Sequence, residues 1–437
     1  MPDPKLQVAL DFLELDRALA VADAAVAGGA DYVEAGTPLI KSEGLDAVRA
    51  LRERFPNKTI IADLKTMDAG HVEAEAAAKA GATVMTVCAA ASESTIRECV
   101  ETGRQYGLAV AVDLMGIADP VAAAGDLAAL GVAWVDVHCP IDRQMQGADP
   151  LEQIRRVRAA CGLTLAAAGG LTSETAAGAV AAGADVIIVG GAITKATDPR
   201  AATAAIRRAI DTGEAVAGEG FRRAAGETIR EILATVRTAN LSDGAHRQPC
   251  LAGLRPLWTG AVAVGPAVTV RTVAGDWSKP VQAIDVAQPG EVIVIDAGGR
   301  PPAVWGELAT ESAVGKGLSG LVVDGAVRDT ADIRRLDFPV WSSHVSSHAG
   351  DAKGVGEINV PIVLDGRRIA PGDWIVADDD GVMVLPAARA VEMANRAANV
   401  LEAENRVRQE IRDQSSTLAK VMDLKRWEQK GMTPDVG

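Results

Sequence analysis

Short apolar runs rich in β-branched residues recur along the first half of the chain, separated by alanine-rich stretches of helix-forming composition. Most stretches close near a glycine, the residue that most readily adopts the left-handed conformation ending a helix. Apolar strands that alternate with helices are typical of a parallel sheet covered on its outer side. The runs are, in order, LQVALD, ADYVEAG, TIIADLK, ATVMTV, LAVAVDLMG, VAWVDVHC, LTLAAAGG and ADVIIVGG.

Eight such units within about 210 residues predict a (β/α)8 barrel rather than an open doubly wound sheet. We place this barrel at residues 1–212 and a linker at 213–222, where apolar periodicity gives way to glycine and charge. Residues 223–437 predict a second domain with its own core. It begins with a helix near 222–238, continues with short β-rich runs, and ends with a charged helix and tail near 386–425. The fold class is therefore α/β throughout.

Charged and polar groups gather where the predicted strands end, which is the end of such barrels that carries the chemistry. The most informative group is the D-x-K-x-x-D cluster in TIIADLKTMDAG, because a lysine between two aspartates needs both to tolerate partial burial. We expect Thr86, at the fourth strand, to be a bystander. The candidate residues of this face are Asp11, Glu34, Asp63, Lys65, Asp68, Asp113, His138, Gly169, Gly170, Gly190 and Gly191.

The residue types at this face suggest their chemistry. Glu34 and Asp63 are hard oxygen donors suited to Mg²⁺, with Mn²⁺ as the alternative metal. The two glycine pairs lie where barrels bind phosphate through backbone N–H groups, and since Ala192 rather than an arginine follows the second pair, that binding relies on the backbone. His138 can carry a proton near neutral pH. Together these groups suit the enediolate of a sugar phosphate.

The motifs LQVALDF, DYVEAGTPLIKSEG, ADLKTMDAG, VDLMG, VH..ID.Q..G and GADVIIVGGAIT resemble those of 3-hexulose-6-phosphate synthases, in the orotidine-monophosphate decarboxylase superfamily. The resemblance covers about residues 5–210. It implies that Glu34 and Asp63 hold Mg²⁺ and that Lys65 lies by the enediolate oxygens. It also implies that His138 transfers a proton and that Asp68 reaches into the partner's site across a dimer interface.

The implied reaction is the reversible addition of ribulose 5-phosphate to formaldehyde, giving 3-hexulose 6-phosphate. Two departures from the family pattern, Pro140 and Ala89, lie near the expected pocket, so the aldehyde itself stays open. The alternative within the same superfamily is a 3-keto-gulonate-phosphate decarboxylase. An arginine after the last glycine pair would favour that decarboxylase, and Ala192 in its place favours the aldolase.

A second candidate site lies in the C-terminal half, where Glu307 precedes the pair Arg328–Asp329 by twenty intervening residues. A metal held by Glu307 and Asp329, with Arg328 as a bidentate fork, suits a 2-oxoacid substrate. Both residues of the pair can face one site if the chain turns there, which Asp324–Gly325 permits. From spacing alone, a structural Arg–Asp pair is an equal alternative.

Residues from about 225 to 390 resemble the RraA-like family, which includes regulators of ribonuclease activity and class II pyruvate aldolases. The aldolases carry a D-x20-R-D pattern, which this chain matches except that Glu307 replaces the first aspartate. The resemblance implies a 2-oxoacid aldolase or an oxaloacetate decarboxylase. A non-catalytic regulator of a ribonuclease complex is the alternative from another class of function.

The net charge, the apolar stretches and the cysteines of the sequence limit which partners and which location we expect for the protein. The formal net charge of −14 argues against nucleic acid, and no apolar stretch is long enough to span a membrane. The N-terminus has no signal-peptide pattern, and the 5 cysteines include no C-x-x-C pair, so we expect reduced thiols in the cytoplasm. The two resemblances imply dimeric barrels and trimeric C-terminal domains, hence a homo-oligomer that is a hexamer if both contacts form.

Overall fold

A computed structural model describes residues 3–146, 151–218, 223–224, 226–413, 416–422 and 424–427. The described residues form two compact units. The first comprises the described residues within Met1–Gln144, Ala148–Gly220 and Glu402–Gly437, and the second those within Met145–Gly147 and Phe221–Leu401. The predicted boundary at 213–222 lies partly outside the described residues and stays a prediction.

Eight parallel strands of the first unit close into a barrel in which each strand pairs with its neighbours in sequence, and β8 pairs with β1. All eight predicted runs form strands, so the predicted (β/α)8 barrel is confirmed. The strands are β1 (Lys5–Leu10), β2 (Tyr32–Ala35), β3 (Thr59–Thr66), β4 (Val84–Cys88), β5 (Ala109–Asp113), β6 (Trp134–His138), β7 (Thr164–Ala168) and β8 (Val186–Val189).

Helices cover the outside of the barrel, and their ends carry the expected signals. In α5, the Ser92 hydroxyl accepts a hydrogen bond from Thr95 N at 3.2 Å, and Gly107 ends the helix at φ 71°. The helices of this unit are α1 (Leu15–Ala27), α2 (Thr37–Glu43), α3 (Asp46–Arg54), α4 (Gly70–Lys79), α5 (Glu93–Tyr106), α6 (Pro120–Leu127), α7 (Ile141–Met145), α8 (Leu151–Ala160), α9 (Ala176–Ala181), α10 (Gly191–Thr194) and α11 (Pro199–Thr212).

The interior of the barrel is filled in layers, because alternate residues of each strand point inward. At its amino-terminal end, the Tyr32 and Trp134 rings stack with centroids 6.3 Å apart and an interplanar angle of 3°. Small apolar side chains such as Ala111 and Ala166 pack around this pair. Polar groups occupy the levels above, so this apolar floor leaves the carboxyl end of the barrel as the polar one.

The second unit is built on a sheet in the order β19-β18-β10-β11-β13-β14-β9, with β12 paired to β13 and β15 to β10. Its centre, β10-β11-β13-β14, is parallel, and the edge strands β9, β18 and β19 are antiparallel to their neighbours. The strands are β9 (Arg255–Pro256), β10 (Ala263–Arg271), β11 (Val292–Asp296), β12 (Ala303–Trp305), β13 (Gly320–Val327), β14 (Val340–Val345), β15 (Glu357–Ile358), β16 (Ile362–Leu364), β17 (Arg367–Ile369), β18 (Trp374–Asp378) and β19 (Gly381–Leu385).

The remaining helices are α12 (Ile229–Thr235), α13 (Thr238–Gly244), α14 (Ser278–Val286), α15 (Glu307–Lys316), α16 (Thr330–Arg335), α17 (Ala390–Asp413) and α18 (Leu418–Val421). The prediction of a single helix near 222–238 is wrong. The backbone is extended at Val236 and Arg237, so the chain forms two helices there, α12 and α13. The predicted charged helix near the C-terminus is α17, whose residues from Glu402 onward belong to the barrel unit. Within the described part of the chain, no helix is both long and apolar enough to cross a membrane.

Candidate functional sites

The D-x-K motif lies in an irregularity of β3. Ala62 pairs with Met85 and Thr66 with Val87, so four steps along β3 match two along β4. Within this bulge Lys65 adopts φ 48°, a left-handed conformation that costs a lysine energy and is typically held in place by its surroundings at functional sites. The bulge turns the lysine toward the carboxyl end of the barrel.

Lys65 joins two strands through its ammonium group. Its Nζ lies 3.1 Å from Asp63 Oδ1 and 2.9 Å from Asp113 Oδ2. Only 22% of its side chain is exposed, so the ammonium group is largely enclosed by the barrel. Burial lowers the pKa of Lys65, but the Asp63 and Asp113 carboxylates outweigh burial and raise the pKa, so the ammonium stays charged.

The network continues from Asp113 to His138. The Nδ1 atom of His138 lies 3.0 Å from Asp113 Oδ2, while Asp113 Oδ1 accepts a hydrogen bond from Met115 N at 2.8 Å. Burial alone would raise the pKa of Asp113, but His138 and Lys65 lower it to about 2. Asp113 is therefore an anion that fixes the lysine and the imidazole relative to each other.

Two hydroxyl groups hold the Asp63 carboxylate. Thr86 Oγ1 donates to Asp63 Oδ1 at 2.7 Å, and Thr37 Oγ1 donates to Asp63 Oδ2 at 2.7 Å. Thr86 Oγ1 also accepts from Lys65 N at 3.0 Å. The prediction that Thr86 is a bystander is wrong, since it links the backbone of the bulge to the carboxylate beside it.

Glu34 lies within the barrel, 6% exposed, where Gln7 Nε2 donates to its Oε2 at 2.6 Å. Burial and the nearby Asp63 and Asp11 raise its pKa well above the ordinary value. A bound cation would relieve this like-charge repulsion, so the residues fit the predicted Mg²⁺. Across the described residues no three His, Cys, Asp or Glu side chains form a metal-ligand group, so the carboxylates here would be a partial set, as Mg²⁺ tolerates when water and substrate complete it.

Asp11 lies at the mouth of the barrel between two glycines. Its Oδ1 is 2.2 Å from the position that a Cβ on Gly36 would take, and its Oδ2 is 3.5 Å from the corresponding position on Gly190. Asp11 is an exposed residue, yet its pKa is raised. The main cause is the partial burial of its carboxyl group, and the negative charge of Asp63 adds to it. Gly36 thus leaves the space that this carboxyl occupies.

Beside the second predicted glycine pair lies Lys195, which sequence reasoning missed. Its Nζ is 3.5 Å from the position of a Cβ on Gly191. The signal was available, since residues four apart in a helical turn share a face.

The first glycine pair, Gly169–Gly170, has φ values of 100° and 73°, which glycine adopts without strain. Gln144 lies over it, because its Nε2 would be 2.9 Å from a Cβ on Gly169 and donates to Cys139 O at 2.7 Å. Asp68 is apart from the network: it is exposed, and its Oδ1 accepts from Ala69 N at 2.7 Å. Its role across a dimer interface stays a prediction.

A further buried carboxyl group, Asp136, lies in β6 two residues before His138 and was missed inside an apolar run. It is 5% exposed, and its Oδ1 has no hydrogen-bond partner among the described residues. Burial, followed by the charges of Asp113 and Asp63, raises its pKa well above the ordinary value. Burial and these two carboxylates therefore favour the protonated form of Asp136, which lies beneath the charged network.

In the second unit Arg328 and Asp329 lie together on an open surface, and Glu307 contacts them through its backbone N–H. Arg328 Nε lies 3.3 Å from Asp329 Oδ2, which also accepts a hydrogen bond from Glu307 N at 3.1 Å. Gly306 permits this approach, because a Cβ there would lie 2.6 Å from Asp329 Oδ2. Arg328 and Asp329 line a depression of about 330 Å³ together with Val345.

The turn at this site differs from the predicted one. Asp324 and Gly325 lie inside β13, at an irregularity of its pairing with β14, so the prediction that they form the turn is wrong. The chain turns instead at Asp329, which has φ 57° and begins α16.

Known proteins match each half of the chain. Residues 4–206 match the family described as Orotidine 5′-phosphate decarboxylase / HUMPS. Over 206 residues the chain is 40% identical to the 3-hexulose-6-phosphate synthase of Mycobacterium gastri, a match that takes in 47% of this chain and 99% of that one. The chain belongs to the Orotidine 5′-phosphate decarboxylase / HUMPS family. Its barrel is an enzyme of the 3-hexulose-6-phosphate synthase type.

Two further matches have the same extent. The 3-hexulose-6-phosphate synthase of Methylomonas aminofaciens is 40% identical over 201 residues, or 46% of this chain and 96% of that one. The crystal structure of 3-hexulose-6-phosphate synthase from Salmonella typhimurium is 34% identical, with a TM-score of 0.47, over 48% of this chain and 100% of that one. Residues 238–384 match the RraA-like family, described as Aldolase/RraA, so a synthase-type barrel is fused to an RraA-like domain.

Proposed function

We propose that the barrel catalyses the reversible, Mg²⁺-dependent addition of ribulose 5-phosphate to formaldehyde, giving 3-hexulose 6-phosphate. The observation that carries this proposal is the chain of short contacts from Asp63 through Lys65 and Asp113 to His138, at 2.9–3.1 Å. It places a permanent cation and a titratable imidazole at the carboxyl end of the barrel. The relatives' activity supports the same assignment.

In the proposed reaction a proton leaves C1 of ribulose 5-phosphate, and the electron pair of that C–H bond forms the enediolate. C1 then attacks the carbon of formaldehyde, forming the new C–C bond, and the resulting alkoxide takes up a proton. His138 is the proposed proton carrier, since Asp113 orients its ring through Nδ1 and leaves Nε2 to face the substrate. Lys65 stabilises the developing negative charge. Mg²⁺, held by Glu34 and Asp63, would polarise the substrate oxygens.

The test is to incubate the full chain with ribulose 5-phosphate, formaldehyde and Mg²⁺ and to follow formaldehyde loss and hexulose phosphate formation by NMR. We expect turnover that a chelator removes and Mg²⁺ restores. His138→Asn should lower kcat by about 10²–10⁴, the usual value of one proton-transfer group. His71→Asn, on the exposed face of α4, is the matched control. Failure to consume formaldehyde, with release of CO₂ from 3-keto-gulonate 6-phosphate, would replace the proposal by the decarboxylase alternative.

We further propose that the RraA-like domain cleaves a 2-oxoacid, by aldol cleavage or decarboxylation. The supporting observation is that Arg328 and Asp329 line one depression and that the backbone N–H of Glu307, at the start of α15, donates to Asp329 Oδ2. Arg328 would pair with the substrate carboxylate. Asp329, together with Glu307, would hold a Mg²⁺ or Mn²⁺ ion, which would polarise the oxo group.

Pyruvate formation from oxaloacetate and from 4-hydroxy-2-oxoacids, with Mg²⁺ or Mn²⁺, tests this second proposal. Asp329→Ala should abolish it and leave formaldehyde fixation by the barrel unchanged. Asp332→Ala, in the same depression but paired with Arg335, is the matched control. A wild-type chain that cleaves none of these 2-oxoacids would favour the regulatory role.

A further inference from the structure

Lys195 reaches the end of the barrel where phosphate is expected. Its Cδ, Cε and Nζ atoms lie 3.8, 3.6 and 3.5 Å from the position of a Cβ on Gly191. The side chain therefore folds back along the short turn toward its first residue, in the direction that helical side chains favour. Burial and the nearby Asp63 raise the pKa of Asp11, and the positive charge of Lys195 opposes part of that rise.

We propose that Lys195 is the cation that recognises the phosphate group of the substrate, an inference that rests on the proposed function of the barrel. A phosphate group near Gly190 and Gly191 meets backbone N–H groups but no charge from Ala192 or Ile193. An ammonium group on a flexible stem supplies that charge. Because Gly191 has no side chain, the phosphate and the ammonium can share the space beside it.

Kinetics of the full chain can separate this role from simple neutralisation of Asp11. Lys195→Ala should raise KM for ribulose 5-phosphate about tenfold or more and weaken competitive inhibition by inorganic phosphate to the same extent. KM for formaldehyde should not change, and Lys195→Arg should restore most of the loss. Lys79→Ala, an exposed lysine of α4, is the control.

A lower kcat with unchanged KM and phosphate inhibition would overturn the inference and assign Lys195 to Asp11. If the wild-type chain turns over no sugar phosphate, the proposed function fails separately. Binding of inorganic phosphate, measured by ³¹P NMR on wild type and Lys195→Ala, then still decides the role of Lys195, since equal binding would contradict it.

A different set of contacts concerns the residues of α17 that belong to the barrel unit, Glu402–Asp413. Arg406 Nη1 donates to Thr194 O at 3.2 Å, and its guanidinium lies 5.9 Å from the centre of the Phe12 ring. Thr194 directly precedes Lys195, and Phe12 directly follows Asp11. One arginine thus contacts both loops that flank the β1–β8 side of the site.

A second contact between α17 and the barrel lies one helical turn after Arg406. Glu410 forms an ion pair with Arg17, in the first turn of α1, and its Oε1 lies 3.4 Å from Arg406 Nε. The three side chains are 18–27% exposed, so this cluster is less screened than a surface pair.

We infer that Glu402–Asp413 is a strap in which Arg406 is a positioning residue for the turn that carries Lys195. Arg406→Ala in the full chain should raise KM for ribulose 5-phosphate several-fold and leave KM for formaldehyde unchanged. Arg408→Ala, on the same helix but 46% exposed and paired with Glu404, is the matched control.

The strap acts through Lys195, so the two substitutions should not add. Once Lys195→Ala is in place, Arg406→Ala should have little further effect on KM. Additive effects would contradict the link between the two residues. A change in melting temperature with no change in KM would reduce the strap to a structural role.

Discussion

The two candidate sites use the same kinds of residue in opposite surroundings. In the barrel, the carboxylates that flank Lys65 are 2% and 7% exposed, and the lysine pairs with Asp63 of its own strand and with Asp113 of β5. In the RraA-like domain, Arg328 and Asp329 are 44% and 36% exposed and line an open depression. One site is enclosed by its own barrel, and the other has solvent on one side.

Enclosure changes how strongly each charged group interacts with its neighbours. In the barrel, low dielectric surroundings strengthen every interaction, so the loss of one group is felt by all the others. At the open site, water screens the same charges, and a single ion pair contributes little. Substitutions in the barrel should therefore cost more than equivalent ones in the RraA-like domain, and the following predictions test that difference.

The largest effect is expected from Lys65→Ala. Activity of the barrel should fall about a hundredfold or more, the usual loss when one preorganised stabiliser of developing charge is removed. The melting temperature should also fall, because Asp63 and Asp113 are left without the cation between them. Rates on ribulose 5-phosphate and thermal unfolding measure the two effects, with Lys79→Ala as the control. Near-normal turnover would remove Lys65 from the mechanism.

A smaller effect is expected at the open site from Gly306→Ala. The new Cβ would meet Asp329 Oδ2 at 2.6 Å and Arg328 Cγ at 3.2 Å, so the pair must shift. Cleavage of the 2-oxoacid substrate should fall about tenfold or more, as small misplacements of reacting groups cost rate steeply. Gly315→Ala, in α15 with open space around it, should leave that rate unchanged. Equal rates in both variants would contradict the importance of this geometry.

The Thr86→Val substitution tests whether the activity of the barrel depends on the hydrogen bonds around its charged groups. The variant keeps the shape of the side chain but removes the donor to Asp63 and the acceptor for Lys65 N. Loss of a hydrogen bond that orients a metal-binding carboxylate costs about 10–100-fold in affinity or activity, and we expect the lower figure here because Thr37 still holds Asp63. The activation constant for Mg²⁺ should rise with it. Unchanged Mg²⁺ dependence would mean that the hydrogen bonds of Thr86 do not affect metal binding.

The repeating apolar runs were enough to predict the barrel and the ends of its strands, because each run and its glycine are local features. The same logic placed Asp63, Asp113 and His138 at one face, where Lys65 joins the two aspartates and Asp113 contacts His138. It failed where the backbone departs from regularity. The bulge that buries Lys65 has no local signal in the sequence, and neither does the Asp329 turn.

Other failures concern single side chains whose type does not reveal their role. Thr86 has the short hydroxyl of an ordinary strand residue, and only its distance to Asp63 reveals its part. Arg406 is about two hundred residues from Thr194, so no local pattern links them. Asp136 sits in the run WVDVH, where a carboxyl group between apolar neighbours gave no sign that it faces the interior.

The smallest effect on activity is expected at Asp136, a carboxyl group inside the barrel whose pKa is raised by burial. An unfolded aspartate ionises near pH 3.9, whereas burial raises the pKa of Asp136 in the folded chain. Between pH 3.9 and the folded pKa, ionisation therefore lowers the free energy of the unfolded state, while the folded state stays protonated. The destabilising effect of this residue grows as pH rises toward the folded pKa. Asp136→Asn removes that effect. The variant should melt at the same temperature as wild type near pH 4 and several degrees higher near pH 7.5.

Asp126→Asn, at an exposed position of α6, should show no such pH dependence. A wild type that loses no stability against Asp136→Asn between these pH values would mean that the interior of the barrel accommodates the charge, and the contrast between the enclosed and open sites would weaken accordingly.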